Sequence, residues 1–240
     1  MKTFVLADIH GSLKALKQVF SRAKFDYDKD KLIFLGDVND GWDETADVIE
    51  ELLKIKNLIF IMGNHESWLV NWLEKKETPL IWTKQGGEAT IQSYKGKCKF
   101  KKKHLEFLKA CPYYFIDKEN RCFVHGGIKS REHPSKTPVS FLTWDRDMWL
   151  NRYSNMTDDK FGDYEEVFIG HTSIYYEYKK PTRIGNVWFM DTGGGFEGKL
   201  SMMDLESKRI FQSDKVDKLH KKQVEKRAED LLNKLLSNIL

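Results

Sequence analysis

Three cysteines in 240 residues, Cys98, Cys111 and Cys122, are odd in number and irregular in spacing. They exclude a disulfide framework, and the lack of any CxxC pair excludes a structural zinc site of the usual spacing. Reduced thiols fit best, and the expected compartment is the cytoplasm. No apolar run approaches the roughly 20 residues of a membrane span, and the step from Met1-Lys2 into a strand leaves no room for a signal-peptide apolar region. A soluble protein with no membrane partner is expected. No single sign of charge dominates either: the formal net charge is +4 and the pI about 8.7, with Lys and Arg interspersed among Asp and Glu. That pattern reads as solvated surface, and nucleic acid is not an expected partner. The densest basic stretch, Lys95 to Lys103, reads as a solvated loop leading into a helix. Repeats, low-complexity tracts and long linkers are absent, so residues 1–212 read as one domain and 213–240 as an appended helix.

What is present is a repeated grammar. The run Leu58-Ile59-Phe60-Ile61-Met62 stops at Gly63-Asn64-His65-Glu66, a buried strand delivering polar side chains to its end. Gly63 is expected to turn the backbone there through a positive φ. The pattern recurs at Asp8-Ile9-His10-Gly11 after Phe4 to Ala7, at Gly36-Asp37 after Leu32 to Leu35, at His125-Gly126-Gly127 after Cys122 to Val124, and at Gly170-His171 after Val167 to Ile169. Leu13, Leu16, Val19, Phe20 and Ala23 repeat at helical spacing behind Ser12, a suitable N-cap, and Ala46, Ile49, Leu52 and Leu53 mark a second helix. Strand, helix, strand, helix, strand implies a parallel sheet with right-handed crossovers. Trp68, Leu69, Trp72 and Leu73 read as the core stripe of a third helix. Beyond Pro112 strands dominate, which suggests a second sheet packed on the first. The fold class is α/β. Val216 to Leu240 reads as one amphipathic helix that must bury a face, on its own domain or in a homo-oligomer.

Of seven histidines, His10, His65, His125 and His171 follow buried strands beside glycine, whereas His104, His133 and His220 do not. Joined by Asp8, Asp37 and Asn64, they form a His, Asp and Asn set suited to manganese, iron or zinc, and too large for one catalytic ion with an open position. Two divalent ions are implied. Ions about 3.5 to 4 Å apart suit in-line displacement at phosphorus, so hydrolysis of a phosphate ester is the expected reaction.

In order, Asp8-Ile9-His10-Gly11, Gly36-Asp37-Val38-Asn39-Asp40, Gly63-Asn64-His65-Glu66, His125-Gly126-Gly127 and Gly170-His171-Thr172 resemble the motifs of the PPP-type metallophosphatases. The likeness is closest to their small bacterial and bacteriophage members and runs from Phe4 to about Leu205, including Asp191-Thr192-Gly193-Gly194-Gly195. The resemblance implies a two-sheet sandwich flanked by helices and direct attack by a hydroxide held between two metal ions, with manganese the expected metal. It assigns Asp8 and His10 to the first metal, Asp37 to both, and Asn64, His125 and His171 to the second. His65 becomes the general acid, oriented by Asp40, and Arg146 and Asn64 contact the substrate phosphate. Glu66 is expected only to start its helix favourably.

The sequence departs from the family at Gly41-Trp42, where Asp40 is usually followed by Arg-Gly, so one arm of the usual arginine clamp is missing. Trp42 reads as core, with stacking on a base as the alternative. The expected substrates are phosphoserine and phosphothreonine proteins, phosphotyrosine included, or small phosphoesters. The alternatives are a nucleotide, dinucleoside polyphosphate or nucleic-acid end as substrate, and a silent metal-binding scaffold.

Overall fold

A computed structural model of the chain describes residues 1–129, 132–151 and 160–237. Among the described residues ten strands form two five-stranded sheets. The first has the order β10 (Ile210–Gln212), β9 (Ser201–Asp204), β1 (Thr3–Leu6), β2 (Lys31–Phe34) and β3 (Asn57–Phe60); β1, β2 and β3 run parallel and β9 and β10 pair antiparallel. The second has the order β4 (Tyr114–Ile116), β5 (Arg121–Val124), β6 (Glu166–Ile169), β8 (Val187–Phe189) and β7 (Thr182–Ile184), parallel at β5, β6 and β8.

The central strands are apolar over most of their length because both faces of each sheet are covered. Val5, Ala7, Ile33, Leu35 and Ile61 of the first sheet meet Phe123, Phe168 and Met190 of the second in the sandwich interior. Their strand neighbours Phe4, Leu6, Leu32, Phe34 and Phe60 point outward against helices α1 (Leu13–Ala23), α2 (Thr45–Leu52), α3 (Asn64–Lys75), α4 (Leu80–Trp82), α5 (Glu88–Ser93) and α6 (Phe100–Lys109). On the far side Cys122, Val124, Val167 and Ile169 pack against α7 (Val139–Trp144) and α8 (Asp147–Leu150). Four layers result, the expected sandwich flanked by helices.

Ser12 caps α1 by accepting from the Ala15 amide at 3.3 Å. Trp42 is core, as expected, with its indole N–H donating to the Gly194 carbonyl at 2.9 Å. The basic stretch is absorbed by α2, where Lys97 pairs with Asp47 and Lys103 with Glu50. Among the described residues no helix is long and apolar enough to cross a membrane, and the three cysteines are free.

The C-terminal segment differs from expectation. It breaks at His220 into α9 (Val216–Leu219) and α10 (Lys221–Ser237). Val216 is buried, but Leu231, Leu232 and Leu235 are exposed, so the apolar face of α10 is not buried on its own domain. Ile239 and Leu240 lie outside the described residues.

Phe123 and Phe168 stack across β5 and β6, fully buried, with centroids 4.9 Å apart. Phe123→Ala is expected to lower stability by about 3–5 kcal/mol in urea unfolding, whereas a loss below about 1 kcal/mol would contradict this packing.

Candidate metal centre

The strand ends of both sheets open onto one cavity of about 770 Å³, lined by His10, Asp37, His65, Arg146, His171 and Asp191 among others. At its base lies the Asp37 carboxylate. Oδ2 of Asp37 is 3.3 Å from His125 Nε2, 3.7 Å from His10 Nε2 and 3.9 Å from His65 Nε2. His125 Nε2 is also 2.9 Å from Asn64 Oδ1 and 3.2 Å from His171 Nδ1.

The outer ring nitrogens fix the tautomers. His10 Nδ1 lies 2.9 Å from the Asn39 carbonyl, His125 Nδ1 2.8 Å from that of Leu35, and His171 Nε2 3.2 Å from that of Trp144. A carbonyl can only accept, so these nitrogens carry the protons and the opposite ones turn lone pairs inward. With the imidazoles neutral, as a bound cation requires, His125 Nε2, His171 Nδ1, Asn64 Oδ1 and Asp37 Oδ2 are four acceptors in mutual approach with no donor among them. Asp8 adds a buried Oδ2 that has no hydrogen-bond partner, while its Oδ1 accepts from the His171 amide at 3.0 Å. Acceptors crowded in this way need a cation, and donors about 2.1 Å from one ion lie near these separations.

The close donors divide into His10, Asp37 and His65 on one side and Asp37, His125 and His171 on the other, with Asp37 common to both. Asp8 is outside those two closest groups. His65 is inside the first, although its sequence context marked it as an acid. Its outer nitrogen meets a different partner from those of the other three: Nδ1 is 2.6 Å from the Asp40 carboxylate, an anion instead of a carbonyl. Burial disfavours charge on His65, but Asp37 and the hydrogen-bonded Asp40 outweigh it and raise the pKa to about 9. His10 is lowered by burial, and His171 falls to about 3 through burial and the neighbouring His125. His65 therefore holds a proton at neutral pH where His10 and His171 do not. His125 is raised despite its burial, because Asp37 lies against it.

Supports for this site come partly from Trp82 and Thr90, which carried no signal in the sequence. Asp40 is fully buried, accepting from the Trp82 indole at 2.8 Å and from the Thr90 hydroxyl at 2.7 Å. Glu66 does more than start α3. Its Oε2 accepts from the amides of Gly63 at 2.7 Å and Asp37 at 3.0 Å, and its Oε1 from Val38 at 2.5 Å, tying the loops after β2 and β3 together. The only prior mark of this was a glutamate three residues past a helix start. Asp191 is buried beside the site, its carboxyl raised to about 6 by burial. Trp68 and Trp144, 5.3 Å apart, form a rim touching His65 and His171.

Gly63 corrects the expectation of a positive φ: its φ is −94°, and glycine is required there because a Cβ would stand 2.3 Å from Asp37 Oδ1. The left-handed conformation is instead taken by Asp8, His10, Asp37, Asp40 and His171, with φ between 47° and 68°. Such residues cost about 1–3 kcal/mol each where strained, and they cluster where surrounding structure imposes them.

The family profile of the calcineurin-like phosphoesterases matches residues 1–217. The chain belongs to that family. Calcineurin-like phosphoesterases use a dinuclear divalent metal site, and the two donor groups sharing Asp37 are this chain's candidates for it. The symmetrical bis(5'-nucleosyl)-tetraphosphatase of Wigglesworthia glossinidia brevipalpis is 22% identical, covering 88% of this chain and 98% of the relative. Serine/threonine-protein phosphatase 1 of Salmonella typhimurium is 20% identical, covering 85% and 91%. Among solved structures, a candidate diadenosine tetraphosphatase has TM-score 0.66 at 14% identity, covering 88% of this chain and 92% of that one. A cold-active protein-tyrosine phosphatase of a Shewanella species has TM-score 0.54 at 14% identity, covering 89% and 80%. These likenesses to solved structures establish the fold.

In metal-free protein the His65 imidazole is expected to titrate near pH 9 instead of near its ordinary 6.5. A raised folded pKa stabilises fully below the unfolded value, so the contribution is present below pH 6.5 and is lost as pH rises through about 9. Asp40→Asn removes one of the two carboxylates responsible, and NMR titration should show the pKa falling. An unchanged value would contradict the Asp40 assignment.

Proposed function

We propose that the protein is a metal-dependent phosphomonoesterase acting on phosphoserine and phosphothreonine side chains in proteins. The hydrogen bond between His65 and Asp40 carries this reading. An alkoxide leaves phosphorus poorly unless it is protonated as the P–O bond breaks, and His65 is the group that keeps a proton to give. A polyphosphate leaving group departs as a stable anion and needs no such donor.

Asp8 and His10 would hold one ion, Asn64, His125 and His171 the other, and Asp37 both, with manganese the expected metal. Bound there, the ions supply Lewis acidity and a nucleophile at neutral pH. The chain's own residues do the rest. Arg146, which lines the cavity and among the described residues makes a 3.5 Å side-chain contact to Thr172 Oγ1, offers its planar fork to phosphate oxygens, and Asn64 contacts the same group. His65 donates from Nε2 to the leaving oxygen while Nδ1–H stays on Asp40. Trp82 and Thr90 hold that carboxylate in place, so the imidazole keeps its orientation through the transfer.

Hydrolysis of a dinucleoside polyphosphate is the second reading. It is favoured by the tetraphosphatase relative that this chain matches over 98% of that relative's length. Manganese added to metal-stripped protein, with a phosphopeptide, a dinucleoside tetraphosphate and an aryl phosphate assayed side by side, separates the two. The first reading predicts turnover of the phosphopeptide, and turnover of the tetraphosphate alone would overturn it.

His65→Asn should slow phosphoserine hydrolysis about a hundredfold to ten-thousandfold and aryl phosphate hydrolysis far less. Equal losses on both substrates would contradict the acid role.

A further inference from the structure

Helix α10 lies beyond the family match, which ends at residue 217, yet Gln223, Lys226 and Arg227 line the same cavity as His10, Asp37 and Arg146. Its start is fastened to the loop that carries His10. The His220 ring stacks on the Trp42 indole, centroids 4.3 Å apart and 14° from parallel, and its Nε2 is 2.8 Å from Ser12 Oγ. Lys14 donates to the Leu219 carbonyl at 3.1 Å.

Nearly two turns further along, Arg227 reaches over the same indole, its Cζ 5.0 Å from the Trp42 ring, and donates to the Gly41 carbonyl. Gln223 donates to that carbonyl too, at 3.3 Å. Gly41 lies against His10: a Cβ there would stand 3.2 Å from His10 Cβ. The guanidinium is thus held at the edge of the candidate metal centre. Burial lowers its pKa, Asp43 acts in the opposite direction, and no ion pair holds it among the described residues. A guanidinium has five N–H donors, so most of its fork is left for a ligand.

An arginine at position 41 itself would be strained: Gly41 has φ +107°, and its Cβ would press to 3.0 Å on the Gly195 carbonyl. A cation from another element avoids that strain.

We propose that Arg227 is a substrate-binding residue that grips the phosphate group together with Arg146, so that α10 is part of the active site of this chain. The inference rests on the phosphoesterase reading of the cavity and identifies the second cation that holds its substrate. A planar fork braced on an aromatic face and a carbonyl is oriented before the anion arrives, so little of its freedom is lost on binding.

The test uses the full chain loaded with manganese, with an aryl phosphate as substrate and inorganic phosphate as competitive inhibitor. Arg227 stands on an exposed stretch of helix, so Arg227→Ala should fold normally, which circular dichroism checks. It is expected to raise KM and the phosphate Ki by about tenfold to a hundredfold, the size of one lost charge-assisted hydrogen bond, with a smaller change in kcat. Arg227→Lys should fall between, and removal of residues 221–240 should match Arg227→Ala. Lys222→Ala, a cation of the same helix away from the cavity, should change neither constant. An unchanged Ki in Arg227→Ala, or higher activity after removal of the helix, would overturn the proposal. If wild-type protein hydrolyses no phosphate ester, the proposed function fails instead, and calorimetric binding of inorganic phosphate to wild type and Arg227→Ala still decides the role of Arg227.

Discussion

A single carboxylate at the junction of two sheets governs this molecule. Asp37 sits at the end of β2, and its Oδ2 faces imidazoles from the β1 loop, from the start of α3 and from β5 in the opposite sheet, at 3.3 to 3.9 Å. Burial alone would raise its pKa, but His125, His65 and His10 hold it well below the usual carboxylate range. An anion in such a place must be compensated or expelled. The imidazoles hold it low only while they carry protons, and the neutral His10 and His171 rings turn lone pairs towards the site. A bound cation would complete the charge balance of the site, and the candidate ligands Asp8, His10, Asp37 and His171 all take left-handed backbone.

Chemical differentiation among the four histidines follows from what each ring touches on its far side. At His10 and His171 a carbonyl stands behind a buried ring whose pKa is lowered, leaving a neutral imidazole with a lone pair turned inward. The Asp40 carboxylate behind His65 leaves a protonated one. Asp40 in turn is held by Trp82 and Thr90, so α4 and α5 fix the carboxylate that keeps His65 protonated. Glu66 has the matching task for the backbone, joining the loops after β2 and β3 through three amides.

Much of this was legible in the residues. Strands buried on both faces are continuous apolar runs, so their ends, and the His, Asp and Asn placed there, stand out in sequence. Other features were not legible, for physical reasons. Thr182–Ile184 is a three-residue edge strand with an arginine at its centre and gives no apolar signal. That β9 and β10 return to the first sheet depends on long-range pairing of β9 with β1, which local pattern does not encode. Trp82 and Thr90 look like ordinary core until Asp40 is placed beside them. Gly63 reads as a turn residue but answers to crowding by Asp37. The periodicity of the C-terminal segment suggested a buried face, whereas the break at His220 directs α10 along the cavity and leaves Leu231, Leu232 and Leu235 in solvent.

The central claim is that Asp37 is shared by two ions while His65 belongs to neither. Metal content of manganese-saturated, gel-filtered protein tests it most directly. Wild type and His65→Asn are expected to retain two ions per chain, and Asp37→Asn to lose them. Two ions retained in Asp37→Asn, a single ion in wild type, or loss of an ion in His65→Asn would contradict the account.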